Sequence, residues 1–589
     1  MKKFQIIVFL AGSLLLTAIS CSDDFLDEPA NPISQFSPEN AFTSPEGLDA
    51  ALVPARKRLR DGDWGWNPAI RSEYFWTDIS YSSLQNVGTA RDATFALNPF
   101  TNASQSRIFD YWTGPYQVFK DVNIVISRID QPEYESETQR NEILAEAFFH
   151  RAYWYYRLVH RFKDVPWVGQ ELTEPRLDYF SASQDAILRK IKEDMEYAVN
   201  WLPEATLGGR VNRAAGYHLL TKIYLSLSEF DNAISAASTI INDGKYALMT
   251  DRFGSGPFAG DPEYDVLWDL HQRENIDIAA NTEAILLAID EVDFPGASHP
   301  SNGSGTDRFW QPLWWLIPDC EYNLSNGEDE FEEKLGRAVS WARPNNHFNY
   351  TMRAEDPNDG RYSDTNWWGL EDFFYNKPGT ARFGQQIQIA DVGIDSISRM
   401  FEFPRYKTHT PRSLPGNNNG GYTHFYVFRL AETYLLRAEA YWWNGQLQDA
   451  ANDVNVVRAR AGASQKTAGD MTIDYIMDER ARELYTEEPR STELARVSYI
   501  MATQNMNGYT LANISESSYM FDKMQRTAPE LFSEILYKDQ VYRFAPHNIY
   551  WPVPQSAIDA NSLGVINQNV GYAGAENNVD PITEITDED

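Results

Sequence analysis

Two segments of the chain, separated by 217 residues, repeat one pattern of apolar, aromatic and small side chains. The matching positions are Leu219, Tyr224, Phe230, Ala233 and Ile240 in the first segment and Leu436, Tyr441, Leu447, Ala450 and Val457 in the second. Apolar residues at three- and four-residue spacing on both sides of a polar break predict a helix, a turn and a second helix. Alanines that allow close approach, with an aromatic residue at the turn, are typical of tetratricopeptide repeats, although an ordinary helical hairpin has the same pattern. The repeat predicts a mostly α fold on a tetratricopeptide-like scaffold.

Further helices are predicted on the N-terminal side of this repeat. One covers the apolar positions between Leu144 and Val159 and ends before Pro166, because proline disfavours helix in the residue before it. Two earlier helix starts are predicted at Ser37-Pro38 and Ser44-Pro45, where serine can cap a helix and proline can occupy its first position.

The helical periodicity fades between residues 251 and 415, where glycine, proline, asparagine and tryptophan interrupt the sequence. A structureless segment this long is uncommon in a compact protein, so we expect short strands and helices that pack on the helical scaffold. No long linker rich in glycine, proline or serine divides the interior. We therefore expect a single unit over residues 37–589, with helical repeats in about 37–250 and 425–500 and a loop-rich insertion in about 251–415.

The N-terminus has the composition of a secretory signal. Lys2 and Lys3 precede an apolar run that ends at Leu16, and small residues lead from there to Cys21. The run is too short to span a bilayer. We expect a signal peptide over residues 1–20, acylation of the Cys21 thiol and a lipidated tether over residues 21–36. An ordinary cleavage site beside an unmodified cysteine is the alternative.

The overall charge argues against one class of partner. The chain has 51 lysines and arginines against 84 aspartates and glutamates, a formal net charge of −33. Because nucleic-acid binding depends on basic patches that neutralise phosphates, no nucleic acid is expected to bind.

With Cys21 acylated only Cys320 remains, so no intramolecular disulfide is expected, and Cys320 is predicted to be a buried structural cysteine.

Motifs along most of the chain resemble those of the SusD/RagB family of outer-membrane lipoproteins. They are Cys21–Asp27 with Pro29, Arg151–Tyr155 with Asp164–Pro166, Gly209–Ala215, Phe428–Glu432 with Arg437–Ala440, Val454-Asn455 with Arg458–Gly462, the charged pattern of Glu479, Arg480, Glu483, Leu484, Glu487, Arg490, Leu494 and Arg496, and finally Trp551–Pro554 and Asn567–Tyr572. Two positions depart from the family pattern: Ser491–Glu493 replaces an aromatic pair with Asp, and Val570 stands where proline is usual. The order of these motifs makes the resemblance specific.

The resemblance implies a role and a set of partners. It implies a lipoprotein anchored in the outer membrane and facing outward, which captures oligosaccharide or polysaccharide and delivers it to a SusC-like TonB-dependent transporter. We expect no catalysis and no cofactor, and the sequence identifies no metal ligand. The insertion would form the ligand face, and the helical repeats would contact the transporter. Capture of oligopeptides is an alternative within the family, and a surface glycoside hydrolase on helical repeats is an alternative outside it.

Aromatic residues are the main candidates for ligand contacts, because a sugar ring has apolar C–H faces and a rim of hydroxyl groups. The candidate rings are Trp64, Trp66, Trp76 and Tyr81 near the start and Trp310, Trp314, Trp315, Trp341, Trp367 and Trp368 in the insertion. Polar neighbours suggest that the segments around residues 64–66, 310–315 and 366–369 are exposed. In each adjacent pair of tryptophans we expect one buried ring and one presented ring, although any single tryptophan also fits a core position.

The candidate hydroxyl partners are Asp78, Asn86, Arg91, Arg343 and Asn345. Each is equally typical of an ordinary surface polar group.

No sequence motif supports a hydrolase. The chain has no HExxH zinc helix, and Gly296–Pro300 departs from the nucleophile-elbow pattern at its last position. The spatial separation of a glycosidase carboxylate pair, roughly 5–9.5 Å, cannot be read from a sequence. Glu439, Glu479 and Glu483 lie on predicted helices near arginines, where structural ion pairs are the favoured interpretation.

Overall fold

The computed structural model describes residues 41–64, 69–82, 107–205, 209–256, 258–290, 304–322, 335–336, 338–392, 396–410, 421–532, 535–537, 540–542 and 544–589. In this part of the chain the helices of seven or more residues are α1 (Pro45–Ala51), α2 (Val53–Asp63), α3 (Arg107–Arg128), α4 (Glu137–Phe162), α5 (Gln184–Trp201), α6 (Arg213–Ser226), α7 (Phe230–Ile241), α8 (Leu430–Trp443), α9 (Leu447–Arg460), α10 (Ile473–Leu484), α11 (Arg490–Thr503) and α12 (Tyr519–Thr527). None of these described helices combines the length and the apolar composition that a membrane span requires.

The helices form an array in which each packs on the one before it. The series runs without a break from α3 to α9, and α8 packs on α7 although residues 242–429 separate them in sequence. Helices α10, α11 and α12 extend the array, with α10 against α8 and α11 against both α4 and α12. Nearest-neighbour stacking of this kind is the architecture of helical repeats, which confirms the predicted mostly α scaffold.

The two repeated segments of the sequence form helices that begin at equivalent residues. Helix α6 begins at Arg213 and α8 begins at Leu430, while α7 begins at Phe230 and α9 begins at Leu447, so both pairs differ by 217. Four alanines of the second helices, Ala233, Ala237, Ala450 and Ala451, are fully buried, which is why those positions take small side chains.

A side-chain cap marks the start of α1, and a residue with positive φ marks the end of α4. Ser44 accepts a hydrogen bond from the Gly47 amide at 3.1 Å with Pro45 in the first turn, which confirms that predicted start; such caps contribute about 1 kcal/mol. The start predicted at Ser37-Pro38 lies outside the described residues. At the other end of α4, Lys163 has a φ of 61°, and β2 follows at Val165–Pro166.

The strands are short and pair only in twos among the described residues. They are β1 (Ser80–Ser82), β2 (Val165–Pro166), β3 (Ser181–Ala182), β4 (Ala284–Ala288), β5 (Ala342–Pro344), β6 (Trp367–Trp368), β7 (Phe403–Pro404), β8 (Phe425–Arg429), β9 (Ile535–Tyr537) and β10 (Gln540–Tyr542). The antiparallel pairs are β1–β5, β2–β3, β4–β8, β6–β7 and β9–β10. Because β8 runs directly into α8, the β4–β8 pair attaches the segment between α7 and α8 to the scaffold.

The segment between α7 and α8 also contains short helical turns. These are Val266–Leu270, Arg273–Ile276, Thr306–Trp310, Trp314–Leu316, a π-helical turn at His347–Thr351, Met352–Ala354, Gly360–Tyr362, Leu370–Asp372, Ile389–Val392, Ser396–Arg399 and Arg405–Thr408. Part of the segment has a small core of its own around Trp314, Trp368 and Phe403, whereas Trp310 and Trp367 join the main core. The burial predicted for Cys320 is confirmed, and it belongs to the small core.

Buried ion pairs connect this segment to the scaffold. Arg361 pairs with Glu479 at 2.8 Å and with Glu483 at 3.2 Å, both on α10. Arg429 at the end of β8 pairs with Glu283 and Glu483 at 2.7 Å each. These carboxylates therefore have the structural role that the sequence favoured.

Candidate functional site

The strand pair β1–β5 brings two distant parts of the chain together. Tyr81 lies directly opposite Arg343, and the Ser80 hydroxyl donates to the Arg343 carbonyl at 2.8 Å. The Arg343 guanidinium carbon lies 5.4 Å from the centre of the Tyr81 ring and 5.2 Å from that of Phe401, within the range of cation–π attraction. Trp341 comes directly before β5, and its ring centre lies 5.0 Å from that of Phe309. Tyr81, Trp341 and Arg343 are each half-buried, so all three present part of their surface to solvent.

A π-helical turn presents a further ring next to this strand pair. Tyr350 lies in the turn His347–Thr351, and 46% of the residue is exposed. Burial raises the pKa of Tyr350, the Glu402 carboxylate adds to that rise, and the charges of Arg343 and Arg353 oppose it. These influences place the phenol among two guanidinium groups and one carboxylate. Turns of this kind are rare and are frequent at functional sites.

Tyr81, Trp341, Arg343, Tyr350 and Arg353 are referred to below as the aromatic face. The adjacent carboxylate, Glu402, is buried and accepts from Arg353 Nη1 at 2.9 Å and from Trp367 Nε1 at 3.3 Å. Burial raises the pKa of Glu402, and Arg353 opposes the rise. The face therefore offers flat rings beside planar hydrogen-bond donors, a combination suited to the apolar and hydroxyl surfaces of a sugar.

Two of the predicted polar contacts support the face from beneath and are not available to a ligand. Asp78 is fully buried, and both of its oxygens accept from Arg490, at 2.9 and 2.6 Å. Asn345 is also buried; its amide donates to the Asp78 carbonyl at 2.8 Å and its Oδ1 accepts from the Phe348 amide at 3.0 Å. We therefore correct the interpretation of Asp78 and Asn345 as hydroxyl partners: they hold β1 and β5 in register.

Most of the predicted tryptophans lie in the core, so their rings are not platforms in this conformation. Trp64 stacks on Phe425 with ring centres 5.8 Å apart, Trp76 stacks on Phe544 at 6.4 Å, and Trp310 meets Tyr74 edge to face at 4.9 Å. The exposure expected for Trp64 and Trp310 is wrong, because aromatic partners from distant elements cover both rings.

The adjacent tryptophans behave differently in the two pairs. Trp314 is fully buried while Trp315 is half-buried and donates to the Ala338 carbonyl at 2.8 Å, so this pair has one ring in the core and one near the surface. Trp367 and Trp368 are both buried, and the expectation of a presented ring there is wrong. The reason is that β6 has the main core on one side and the small core on the other.

Trp66, Asn86 and Arg91 lie outside the described residues, as does Cys21. Sequence reasoning missed Tyr350 and Arg353, because it searched for tryptophan. The available signal was a tyrosine in the polar run from Asn345 to Thr351, and its exposure depends on a π turn that no periodicity predicts.

Family models match two long parts of the chain. Residues 343–572 match the model described as the SusD family, and residues 24–225 match the model described as starch-binding and associating with the outer membrane. The first match contains most of β5, the π turn and helices α8 to α12, and the second contains helices α1 to α5 and β1.

Related proteins agree in sequence and in fold. SusD-like protein P2 of Formosa agariphila is 23% identical over 521 residues, which cover 84% of this chain and 88% of that protein. The structure of a laminarin-binding SusD-like protein superposes with a TM-score of 0.61 at 19% identity, over 90% of this chain and 99% of that one. Surface glycan-binding protein A of Bacteroides thetaiotaomicron, in complex with laminarihexaose, gives 0.61 at 18% identity, over 89% and 99% of the two chains. With its motifs, its helical array and these matches, the chain belongs to the SusD/RagB family.

Proposed function

We propose that this protein binds glycans at the cell surface through the aromatic face and catalyses no reaction. The observation that carries the proposal is the grouping of three partly exposed rings, Tyr81, Trp341 and Tyr350, with the guanidinium groups of Arg343 and Arg353. The rings match the apolar C–H faces of a sugar, and the guanidinium groups can donate to its hydroxyls. Ligand contacts of Trp66, Asn86 and Arg91 stay predictions from the sequence.

The matching family and the structural neighbours support a glycan as the ligand. One matching family model is described as starch-binding, one structural neighbour as laminarin-binding, and another was solved with laminarihexaose. At such low identity the neighbours share the fold, and the sugar that this chain binds is left open. Laminarin, a β-glucan, is therefore a test ligand.

The proposed role includes delivery to a SusC-like TonB-dependent transporter, with Cys21 as the acylated anchor in the outer membrane. The matching family model is described as associating with the outer membrane, and the helical array offers a broad surface for a partner. The irregular segment between α7 and α8 would then hold the ligand above the transporter. Co-purification with the transporter, lost on Cys21→Ala, would test the anchor.

A hydrolase is the competing function outside binding proteins, and Glu402 is the residue that such a mechanism would use. A carboxyl group with a raised pKa can retain the proton that a general acid needs. However, its Oε2 already accepts from both Arg353 and Trp367, which is the arrangement of a structural carboxylate. We expect no reducing ends to appear from laminarin, starch or xylan with the natural protein or with Glu402→Gln.

Affinity electrophoresis in native gels that contain one polysaccharide each tests binding directly. We expect Tyr350→Ala to weaken the retardation about five- to tenfold, the effect of losing one stacking ring. Phe383→Ala is the matched control, because Phe383 lies in the same segment with 56% of its surface exposed and is not part of the aromatic face. An oligopeptide mixture added as competitor separates the peptide-binding alternative.

Three results decide the proposal. Retardation that falls for Tyr350→Ala and not for Phe383→Ala supports the aromatic face. Equal retardation of all three proteins shows that the sugar binds elsewhere. Loss of retardation when oligopeptides are added would show that peptides occupy the face, and would favour the peptide-binding alternative over glycan binding.

A further inference from the structure

A cleft of about 580 Å³ lies between one side of α3 and the segment that follows β2. Trp112, Tyr116 and Lys120 line it at four-residue spacing, which places them on one side of the helix. Residues 172–176 form the opposite wall, and all five are exposed. No residue of the aromatic face lines this cleft.

The cleft has aromatic walls in fixed positions. The Tyr116 hydroxyl donates to the Pro166 carbonyl at 2.9 Å, and the Tyr116 and Trp112 rings lie 5.3 Å apart between centres. Tyr179 forms part of the other side, with the Arg176 guanidinium carbon 4.9 Å from its ring centre. The volume is within the range of about 300–1,000 Å³ that small-molecule sites occupy.

The polar groups of the lining determine the kind of ligand. Lys120 and Arg176 are cationic, Glu174 is the single carboxylate, and Thr173 adds a hydroxyl. Arg176 is paired with Asp178 at 2.8 Å, so Lys120 is the cation that a ligand would meet. Lys120 is exposed on the helical side of the cleft, so its ammonium group can pair with an anionic group of a ligand.

We propose that this cleft is a second sugar subsite, which binds a ring that carries a carboxylate, as uronic acids do. The apolar face of the ring lies against Tyr116 and Tyr179, and its carboxylate pairs with Lys120. Its hydroxyls reach Glu174 and Thr173. The choice of a sugar rests on the proposed function, whereas the charge and the location come from the cleft itself.

Saturation-transfer NMR and titration calorimetry of the full chain with methyl β-D-glucuronide and methyl β-D-glucoside test this subsite. We expect weak binding of the glucuronide and about fivefold weaker binding of the neutral glucoside, the effect of one exposed ion pair. Lys120→Gln should weaken the glucuronide about fivefold and leave the glucoside unchanged, and Tyr179→Ala should weaken both. Lys245→Gln is the matched control, since Lys245 is also exposed and lies far from the cleft in sequence.

The variants also separate this inference from the proposed function. Equal affinity for the two glycosides, or no effect of Lys120→Gln, overturns the subsite. A glucuronide signal that falls with Tyr350→Ala and not with Lys120→Gln shows that the sugar occupies the aromatic face, so the subsite fails and the proposed function stands. A signal that depends on Lys120 in a protein that binds no polysaccharide leaves the subsite standing and the proposed function overturned.

Discussion

Ser228 has a left-handed backbone, with a φ of 60°, at the position where the repeat 217 residues later has Gly445, with a φ of 75°. The hydrogen bonds around the two turns are the same: the Glu229 amide donates to the Tyr224 carbonyl and the Gln446 amide donates to the Tyr441 carbonyl, each at 2.8 Å. The two helical hairpins therefore share one turn geometry, and only the second has the residue that adopts it without strain.

The turn predicts opposite effects of two substitutions. Ser228→Gly should stabilise the protein by about 0.5–1 kcal/mol, because glycine removes the strain of a left-handed residue. Gly445→Ala should destabilise it by about 1 kcal/mol, since no atom lies within 4 Å of an added Cβ and the cost is conformational only. Urea unfolding measures both.

Ser228→Ala is the control for that pair. The Ser228 hydroxyl has no hydrogen-bond partner among the described residues, so its loss alone should change little. If Ser228→Ala stabilises as much as Ser228→Gly, the hydroxyl and not the backbone explains the effect.

The buried ion pair between Asp78 and Arg490 should contribute far more to the free energy of unfolding than an ion pair on the surface. Asp78→Asn leaves the buried Arg490 guanidinium without its bidentate partner and should cost about 3 kcal/mol. Asp61→Asn, which breaks an exposed pair with Lys57 on α2, should cost less than about 0.5 kcal/mol. Similar unfolding free energies for the two variants would refute the supporting role of Asp78.

The free energy of unfolding should fall steeply as the pH is lowered. Burial on its own would raise the pKa of Glu479, but the charges of Arg361, Arg482 and Arg458 outweigh it and lower the pKa to about 2. The folded protein therefore keeps this charge where the unfolded chain takes up a proton, so the stabilisation is present above about pH 4.5 and is lost as the pH falls towards 2.

Chemical denaturation at several pH values between 6 and 3 measures that dependence. Glu479 alone should account for about one proton taken up on unfolding near pH 4. Glu479→Gln should reduce the slope of the unfolding free energy against pH. An unchanged slope in this variant would mean that Glu479 is not the titrating group.

Arg151 on α4 allows a comparison of two carboxylates on a single arginine. Its guanidinium pairs with Asp194 and with Asp587 near the C-terminus, both at 2.7 Å, but Asp194 is buried whereas the Asp587 side chain is 45% exposed. Asp194→Asn should cost about 3 kcal/mol and Asp587→Asn less than about 1 kcal/mol, because solvent screens the second pair. Thermal unfolding checks the order, and the reverse order would contradict this assignment.

The helical array could be predicted from the sequence, whereas most of the aromatic face could not. Local spacing around Tyr224 and Tyr441 is enough to specify a hairpin, since helices depend on near neighbours. The pairing of Tyr81 with Arg343 joins residues that lie far apart in the chain, and sequence reasoning named both without placing them together. Burial of Trp367 and Trp368 on opposite sides of β6 depends on two cores that no spacing reveals.

Hydrogen–deuterium exchange of the full chain, with and without a polysaccharide that retards it in native gels, is the sharpest test of ligand binding at the aromatic face. Binding at the aromatic face predicts that the sugar slows exchange in peptides that contain β1, β5 and Tyr350, and leaves those of α6 and α7 unchanged. Slower exchange confined to the helical array, with no change at Tyr81 or Tyr350, would contradict it.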